Sequence, residues 1–360
     1  MRRILDSVVP PSSGTRFPAL DGLRGMAVLM VLLGHTYKGS GAAGTGVCIF
    51  FVLSAFLLFY PWATDKPIEV GPYYRRRFRR IYPAWVFSLL VGTAASLAIG
   101  ISVTWGGFLT HLIFAHTLAI RWVLEINPPT WSMAPEVQFY LALPLLALAA
   151  RRWRWLPILG IVTCSVWQSL VGTQSSMWQN WPLLGLPFFC GMVAAYAVRS
   201  NRTHAILGPL GLAVIAAVCV YVDRNVLTLA WGVGNPRGLV VLFGGPRGLL
   251  TSLGATAAII ALTRADGIAV RAFSAAPIRA IGVCGYSIFL LHYPLWQMVS
   301  HFTTRLVVLV GVVPVSLAIG VWSYLNIELP FIRSKGRVHE SQPGAPIPTC
   351  LTAGPSEPKC

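Results

Sequence analysis

The chain reads as an all-α polytopic membrane protein, a bundle of about ten transmembrane helices with both termini cytoplasmic. Three observations predict this. Of its 360 residues, 55% are hydrophobic and only 11% are charged, at a mean hydropathy of +0.67. A soluble domain carries roughly 25% charged residues. Apolar runs bounded by charge recur at the ~20-residue length that crosses a ~30 Å hydrocarbon core. The basic clusters between those runs all fall on one side of the membrane, as the positive-inside rule requires.

The runs lie at roughly 18–37, 45–62, 81–100, 131–150, 155–171, 181–198, 205–221, 248–263, 281–300 and 306–325. Between the second and third stands Arg75-Arg76-Arg77-Phe78-Arg79-Arg80, and between the fourth and fifth Arg151-Arg152-Trp153-Arg154. Arg199 and Arg202 follow the sixth run, Arg264, Arg271 and Arg279 the eighth, and Arg333, Lys335 and Arg337 the tenth. Residues 105–124 are apolar enough to span, but one more crossing would carry Arg151–Arg154 outside. They are therefore expected to be re-entrant or to lie on the outer face. Residues 225–245 are similar, broken by Gly232, Gly234, Asn235, Pro236 and Arg237. The chain divides into a cytoplasmic segment 1–17, a membrane domain 18–334 and a tail 335–360. The tail's Pro, Ser and Gly content predicts disorder.

A net charge of +17 suits loops held against anionic lipid, or an anionic substrate. Nucleic acid is a poor partner for so apolar a chain. Polar residues and Pro10-Pro11 interrupt residues 1–17, so no cleaved signal peptide is expected. The seven cysteines form no CxxC pair or Cys/His cluster, which predicts buried free thiols and no metal site.

The chemistry is expected around the first run. Arg24 and His35 are eleven positions apart. Eleven steps of an α-helix overshoot three turns by only about 20°, so both share one face, about 16 Å apart. Ionisable groups at membrane depth are costly and usually face a protein interior or a water-filled path. His35 is the candidate general base, because imidazole moves protons near neutral pH. The plain alternative is a hydrogen-bonded interfacial histidine. Arg24 needs an anionic partner, and Asp21 three residues earlier is one.

Glu136, in Trp131-Ser-Met-Ala-Pro-Glu136-Val-Gln-Phe-Tyr140, is expected at the outer start of the fourth span, near the depth of His35. There it would orient the imidazole or pair with an arginine. Its structural alternative is a helix-start carboxylate favoured by the dipole, although Ser132 misses the capping-box spacing by one. Arg76, Arg77 and Arg80 are candidates to grip the phosphates of a donor, since guanidinium suits bidentate contact. Topological anchoring alone would also account for them. The neighbouring Tyr73, Tyr74, Tyr82 and Trp85 read as an interfacial belt. His292, mid-span in Gly285-Tyr-Ser-Ile-Phe-Leu-Leu-His292-Tyr-Pro294, reads as a satisfied interior histidine, and Glu328 as an ion-pair partner of inner-face arginines.

Taken in order, these segments resemble the acyltransferase 3 family of membrane acyltransferases, over about residues 17–334. Arg16-Phe-Pro-Ala-Leu-Asp-Gly-Leu-Arg24 with His35 is similar to its Arg-x10-His motif. Gly46-Val-Cys-Ile-Phe-Phe-Val-Leu-Ser-Ala-Phe56 is similar to its second-span signature, and Arg76-Arg77-Phe-Arg-Arg80-Ile-Tyr-Pro83 to its arginine motif. The Trp131–Tyr140 segment resembles its Trp-Ser…Glu…Phe-Tyr segment. Gly285–Pro294 and Glu328–Phe331 fit its closing pattern. Cys48 stands where Asp is common, Ala55 where Gly is common, and Phe289 where Tyr is frequent.

The resemblance implies ten spans with cytoplasmic termini in the cell membrane, and an acyl, often acetyl, group moved from cytoplasmic acyl-CoA to a hydroxyl. It implies His35 and Arg24 as the catalytic pair with Glu136 assisting, Arg77 and Arg80 as donor-binding residues, and no metal. The implied partners are the bilayer, acyl-CoA and a glycan, sugar or small-molecule acceptor. Many relatives carry an additional extracytoplasmic hydrolase-like domain that this sequence does not contain, so direct transfer is expected. No serine or cysteine stands out as a covalent nucleophile. The competing class is a transporter or flippase for a lipid-linked or antibiotic molecule. The lack of an internal repeat weakens it, and acyl-CoA binding separates the two.

Overall fold

A computed structural model of the chain describes residues 17–36, 42–63, 67–119, 121–171, 184–200, 245–263, 267–302 and 308–333. Every regular element among them is helical. The helices are α1 Pro18–Thr36, α2 Ala42–Phe59, α3 Val70–Ala98, α4 Trp105–Leu112, α5 Met133–Arg152, α6 Leu156–Val171 and α7 Leu186–Arg199, then α8 Gly245–Leu262, α9 Ile268–Phe273, α10 Ala276–Val283, α11 Gly285–Phe302, α12 Val313–Ser323 and α13 Leu329–Arg333. The expected span at 205–221, the segment 225–245, residues 1–16 and the tail 335–360 lie outside, or nearly outside, the described residues.

Four helical segments are long and apolar enough to cross a membrane: Ala42–Phe59, Val70–Ala98, Pro128–Arg152 and Val310–Arg333. The expected ninth span is broken. Ala276–Val283 and Gly285–Val299 meet at 72°, and they make a fifth crossing if the pair counts as one. So the described residues carry four or five candidate spans against the ten expected. The helix α1 is 19 residues long yet stands outside that set. Asp21, Arg24 and His35 lower its hydropathy.

The organising helix is α2. It is two-thirds buried, from Val47 and Ile49 through Phe51, Val52 and Phe56 to Phe59, and none of its residues is fully exposed. A helix apolar all round belongs in the centre of a bundle. Lipid tails give no hydrophobic drive between helices, so close backbone approach takes its place. A Cβ on Gly46 of α2 would sit 2.5 Å from the Ala27 carbonyl of α1. On the other face of α1, a Cβ on Gly282 of α10 would sit 1.7 Å from the Asp21 carbonyl. Small residues thus clamp α1 between α2 and α10. Close contact is also kept at Ala55, where the family commonly has glycine. The glycine is on the partner helix: a Cβ on Gly191 of α7 would lie 2.7 Å from the Ala55 Cβ.

Among the described residues of 105–124 no helix is long enough to cross a membrane. Helix α4 has eight residues, about 12 Å of rise, against a ~30 Å core. The chain then turns at Phe114, whose φ of 59° is left-handed. This hairpin is pinned to the bundle from inside. Trp85 Nε1 donates to the His111 carbonyl at 3.0 Å, Phe114 stacks on Trp85 at 4.7 Å, and Asn127 Nδ2 donates to the Leu290 carbonyl at 2.8 Å. His111 and His116 stack with ring centroids 4.1 Å apart. Trp85 and Tyr73 are therefore core residues, 0% and 3% exposed, and not members of an interfacial belt. The Tyr73 and Tyr74 hydroxyls instead tie α3 to the carbonyls of Tyr140 and Leu141 in α5, at 3.1 and 2.7 Å.

Candidate active site

A cavity of about 240 Å³ is lined by α1, α2, α3, α5 and α11. Each contributing side chain follows from a helical register. Arg24 points from α1. Tyr73, Arg77 and Arg80 fall on one stripe of α3, and the last two enter the cavity. Arg76, one position off that stripe, is exposed and lines no part of it. Three guanidinium groups thus meet one carboxylate, Glu136 of α5. The apolar side of the cavity is formed by Val47, Phe50, Phe51 and Phe289.

The charges are unevenly satisfied. Arg24 Nη1 pairs with Asp21 Oδ1 at 3.2 Å, the partner its spacing suggested. Arg77 Nε is buried with no hydrogen-bond partner among the described residues. Arg80 is within electrostatic reach of Glu328 and Asp21, but forms no ion pair within 4.0 Å among the described residues. Glu328 is buried and accepts from the Ser287 hydroxyl at 3.0 Å. A cationic cavity with a buried, unpaired Arg77 N–H is chemically suited to an anion.

Glu136 is placed differently from the sequence expectation. It lies in the cavity with Arg24, not beside His35. Its Oε1 accepts from Ser54 Oγ at 3.0 Å and from the Tyr140 hydroxyl, and Ser54 and Tyr140 are themselves 2.8 Å apart. The reason is local. Residues Pro128–Ser132 wind into a 3₁₀ turn that continues into α5, so Glu136 sits two turns inside the helical segment and not at its start. Ser132 does not cap the helix: its hydroxyl donates to the Pro129 carbonyl at 3.2 Å.

His35 is half-buried near the C-terminal end of α1 and does not line the cavity. Its ring meets α11. The His35 and His292 centroids are 5.0 Å apart, with Tyr293 edge-on to His35 at 5.6 Å. Phe289 joins the two zones, since it lines the cavity and packs against His292 at 5.8 Å. Sequence reasoning missed Ser54 and Tyr140 as partners of Glu136. Tyr140 was within reach, being four residues on and so on the same helix face. Ser54 comes from another helix and carried no signal.

Among the described residues no group of three His, Cys, Asp or Glu side chains is close enough to hold a metal. The four described cysteines are buried and form no disulfide among the described residues. Cys48, at the position where the family often has Asp, has its Sγ 3.2 Å from Ser252 Oγ.

No solved structure matches this chain. Among curated proteins it is 26% identical to the peptidoglycan O-acetyltransferase OatA of Listeria monocytogenes, over 77% of this chain and 49% of that one. It is 25% identical to the O-acetyltransferase OatA of Staphylococcus aureus, over 89% of this chain and 57% of that one. To the acyltransferase MdmB of Streptomyces mycarofaciens it is 29% identical, over 38% of this chain and 40% of that one. The chain spans about half the length of the curated relatives it matches. The family model described as an acyltransferase domain matches residues 17–325, nearly all the apolar sequence, and the chain therefore belongs to the acyltransferase 3 family.

Proposed function

We propose that the protein is a membrane O-acyltransferase that moves an acyl group, acetyl by preference, from acyl-CoA to a hydroxyl of a sugar, glycan or secondary-metabolite acceptor. The observation that carries this reading is the cavity in which Arg24, Arg77 and Arg80 face a single carboxylate. A net cationic site with unpaired donors suits an anionic donor such as a CoA ester. At about 240 Å³ the cavity is smaller than the ~300–1,000 Å³ of a whole drug-sized ligand site. It suits the acyl-bearing arm of the donor, with the phosphates held at the arginine stripe of α3. The O-acetyltransferase names of the relatives support acetyl and a hydroxyl acceptor.

In this mechanism His35 Nε2 takes the proton of the acceptor hydroxyl as the oxygen attacks the thioester carbonyl. The C–S bond breaks as the C–O bond forms, and the imidazolium returns its proton to the CoA thiolate. Arg24, about 16 Å along α1 from His35, binds the donor away from the reacting carbonyl. Glu136, fixed by Ser54 and Tyr140, sets the field between Arg24 and Arg77. The test is acyl transfer from radiolabelled acetyl-CoA in membranes carrying His35→Ala. Loss of transfer and of thioester cleavage, at wild-type protein level, is expected. Wild-type turnover by that variant would overturn the assignment.

A further inference from the structure

His292 was read from sequence as a satisfied interior histidine, yet its ring has two contacts of different kinds. Its Nδ1 lies 2.6 Å from the Phe289 carbonyl, and its Nε2 lies 3.3 Å from His35 Nδ1. His35 Nδ1 is in turn 2.8 Å from the Val31 carbonyl. A carbonyl oxygen only accepts, so both Nδ1 atoms carry their protons. That assignment leaves His292 Nε2 as a bare lone pair facing the His35 Nδ1–H, which it shares with Val31. It also leaves His35 Nε2 as the basic nitrogen, with no hydrogen-bond partner among the described residues.

We propose that His292 is a positioning residue for His35: it holds the His35 ring in the Nδ1–H tautomer and accepts more strongly from that N–H once Nε2 has taken a proton. This rests on the reading of His35 as the general base. The arrangement repeats with a neutral acceptor the task of a carboxylate behind a catalytic histidine, where the second group fixes tautomer and orientation and stabilises the imidazolium. A neutral partner suits this place, because a carboxylate at membrane depth would need its own counter-charge. The fold supplies the placement. His292 is 2% exposed, two turns into α11, and Tyr293 packs edge-on against the His35 ring. The break between α10 and α11 aims this helix at the C-terminal end of α1.

The two ring contacts can be separated by substitution in the full-length protein in membranes. The Asn side chain in His292→Asn ends near the Nδ1 position and keeps a donor for the Phe289 carbonyl, but cannot reach His35. The Gln side chain in His292→Gln extends to the Nε2 position and offers an amide oxygen to His35 Nδ1–H. His292→Asn is expected to lower kcat about 10- to 100-fold, the worth of one charge-assisted hydrogen bond made in the transition state, with both KM values unchanged. His292→Gln is expected to recover most of kcat. Protein level and thermal midpoint of each variant, read alongside, separate catalysis from folding. Asn equal to or better than Gln would overturn the proposal, since a purely structural role needs only the Phe289 contact. If His35→Ala is inactive and His292→Asn turns over like wild type, the positioning role falls and the general base stands. If His35→Ala is itself active, the proposed function falls first.

Discussion

The proposed donor site is most directly tested on the α3 stripe. Arg77 and Arg80 enter the cavity and Arg76 does not, although the three are nearly contiguous in sequence. Arg77 Nε is buried without a partner, so its hydrogen-bonding capacity is open to a ligand. A hydrogen bond to a charged group contributes about 1.5–3 kcal/mol. If each guanidinium makes one such bond to a donor phosphate, Arg77→Ala with Arg80→Ala removes about 3–6 kcal/mol. At 1.4 kcal/mol per decade this weakens donor binding roughly 10²- to 10⁴-fold. The assay is equilibrium displacement of labelled acetyl-CoA from the purified protein in lipid nanodiscs, with donor and acceptor KM measured in parallel. The acceptor KM is expected to stay put. Arg76→Ala is the internal control: an exposed arginine off the cavity leaves donor binding within about twofold. Donor affinity of the double variant within about threefold of wild type would refute the reasoning, because less than 1 kcal/mol would then be at stake. An Arg76→Ala loss as large as that of Arg77→Ala would refute the stripe.

Three further outcomes follow from named contacts. Tyr140→Phe and Ser54→Ala each remove one of the two hydroxyls on Glu136, and leaving the buried carboxylate short of a bond costs about 1–3 kcal/mol; a thermal double-mutant cycle between Tyr140 and Glu136 checks this, and a coupling below about 0.3 kcal/mol would contradict it. Gly282→Ala drives a Cβ to 1.7 Å from the Asp21 carbonyl and should lower stability by at least the ~1–3 kcal/mol of overpacking, whereas Gly71→Ala, with nothing within 4 Å, should be neutral in the same melting assay. In the hairpin, burial and the neighbouring His111 push the His116 imidazole from 6.5 down to about 3; the unfolded segment then binds more protons at acid pH, so local stability is full above 6.5 and falls by about 1.4 kcal/mol per unit below it, about 2 kcal/mol at pH 5. Protection factors in residues 105–127, corrected for the intrinsic exchange rate at each pH, that do not fall by roughly 30-fold between pH 7 and pH 5 would contradict this.

The helical class and much of the site were legible because both rest on periodicity and charge. The three-residue step from Asp21 to Arg24 predicted an ion pair that the fold makes at 3.2 Å. The charge pattern predicted a re-entrant or outer-face segment at residues 105–124, and the structure has only an eight-residue helix there. What failed was depth. Glu136 was placed by counting from an apparent span start, and the 3₁₀ turn before α5 displaced it to the level of Arg24. The belt reading of Tyr73 and Trp85 failed for a related reason. An aromatic beside a basic cluster has the same local sequence whether it faces headgroups or a hairpin folded back onto the helix.

The face shared by Arg24 and His35 named two residues but no neighbour for either. A helix pattern states which side chains point the same way; it is silent on what they meet, because that depends on the crossing of other helices. Here the answer differs at the two ends. Around Arg24, four other helices line a cavity that concentrates charge. Around His35 the broken span supplies an imidazole. The break at Cys284–Gly285 is what makes this geometry available: an unbroken helix from Ala276 to Phe302 would not pass both the Asp21 backbone and the His35 ring at these distances. Gly282 lets α10 lie against Asp21, and the 72° bend then carries α11 across to the other end of α1. The same bend sets Phe289 in the wall between the charged cavity and the histidine pair, so one helix pair gives α1 its packing, its cavity wall and the partner of its proposed base.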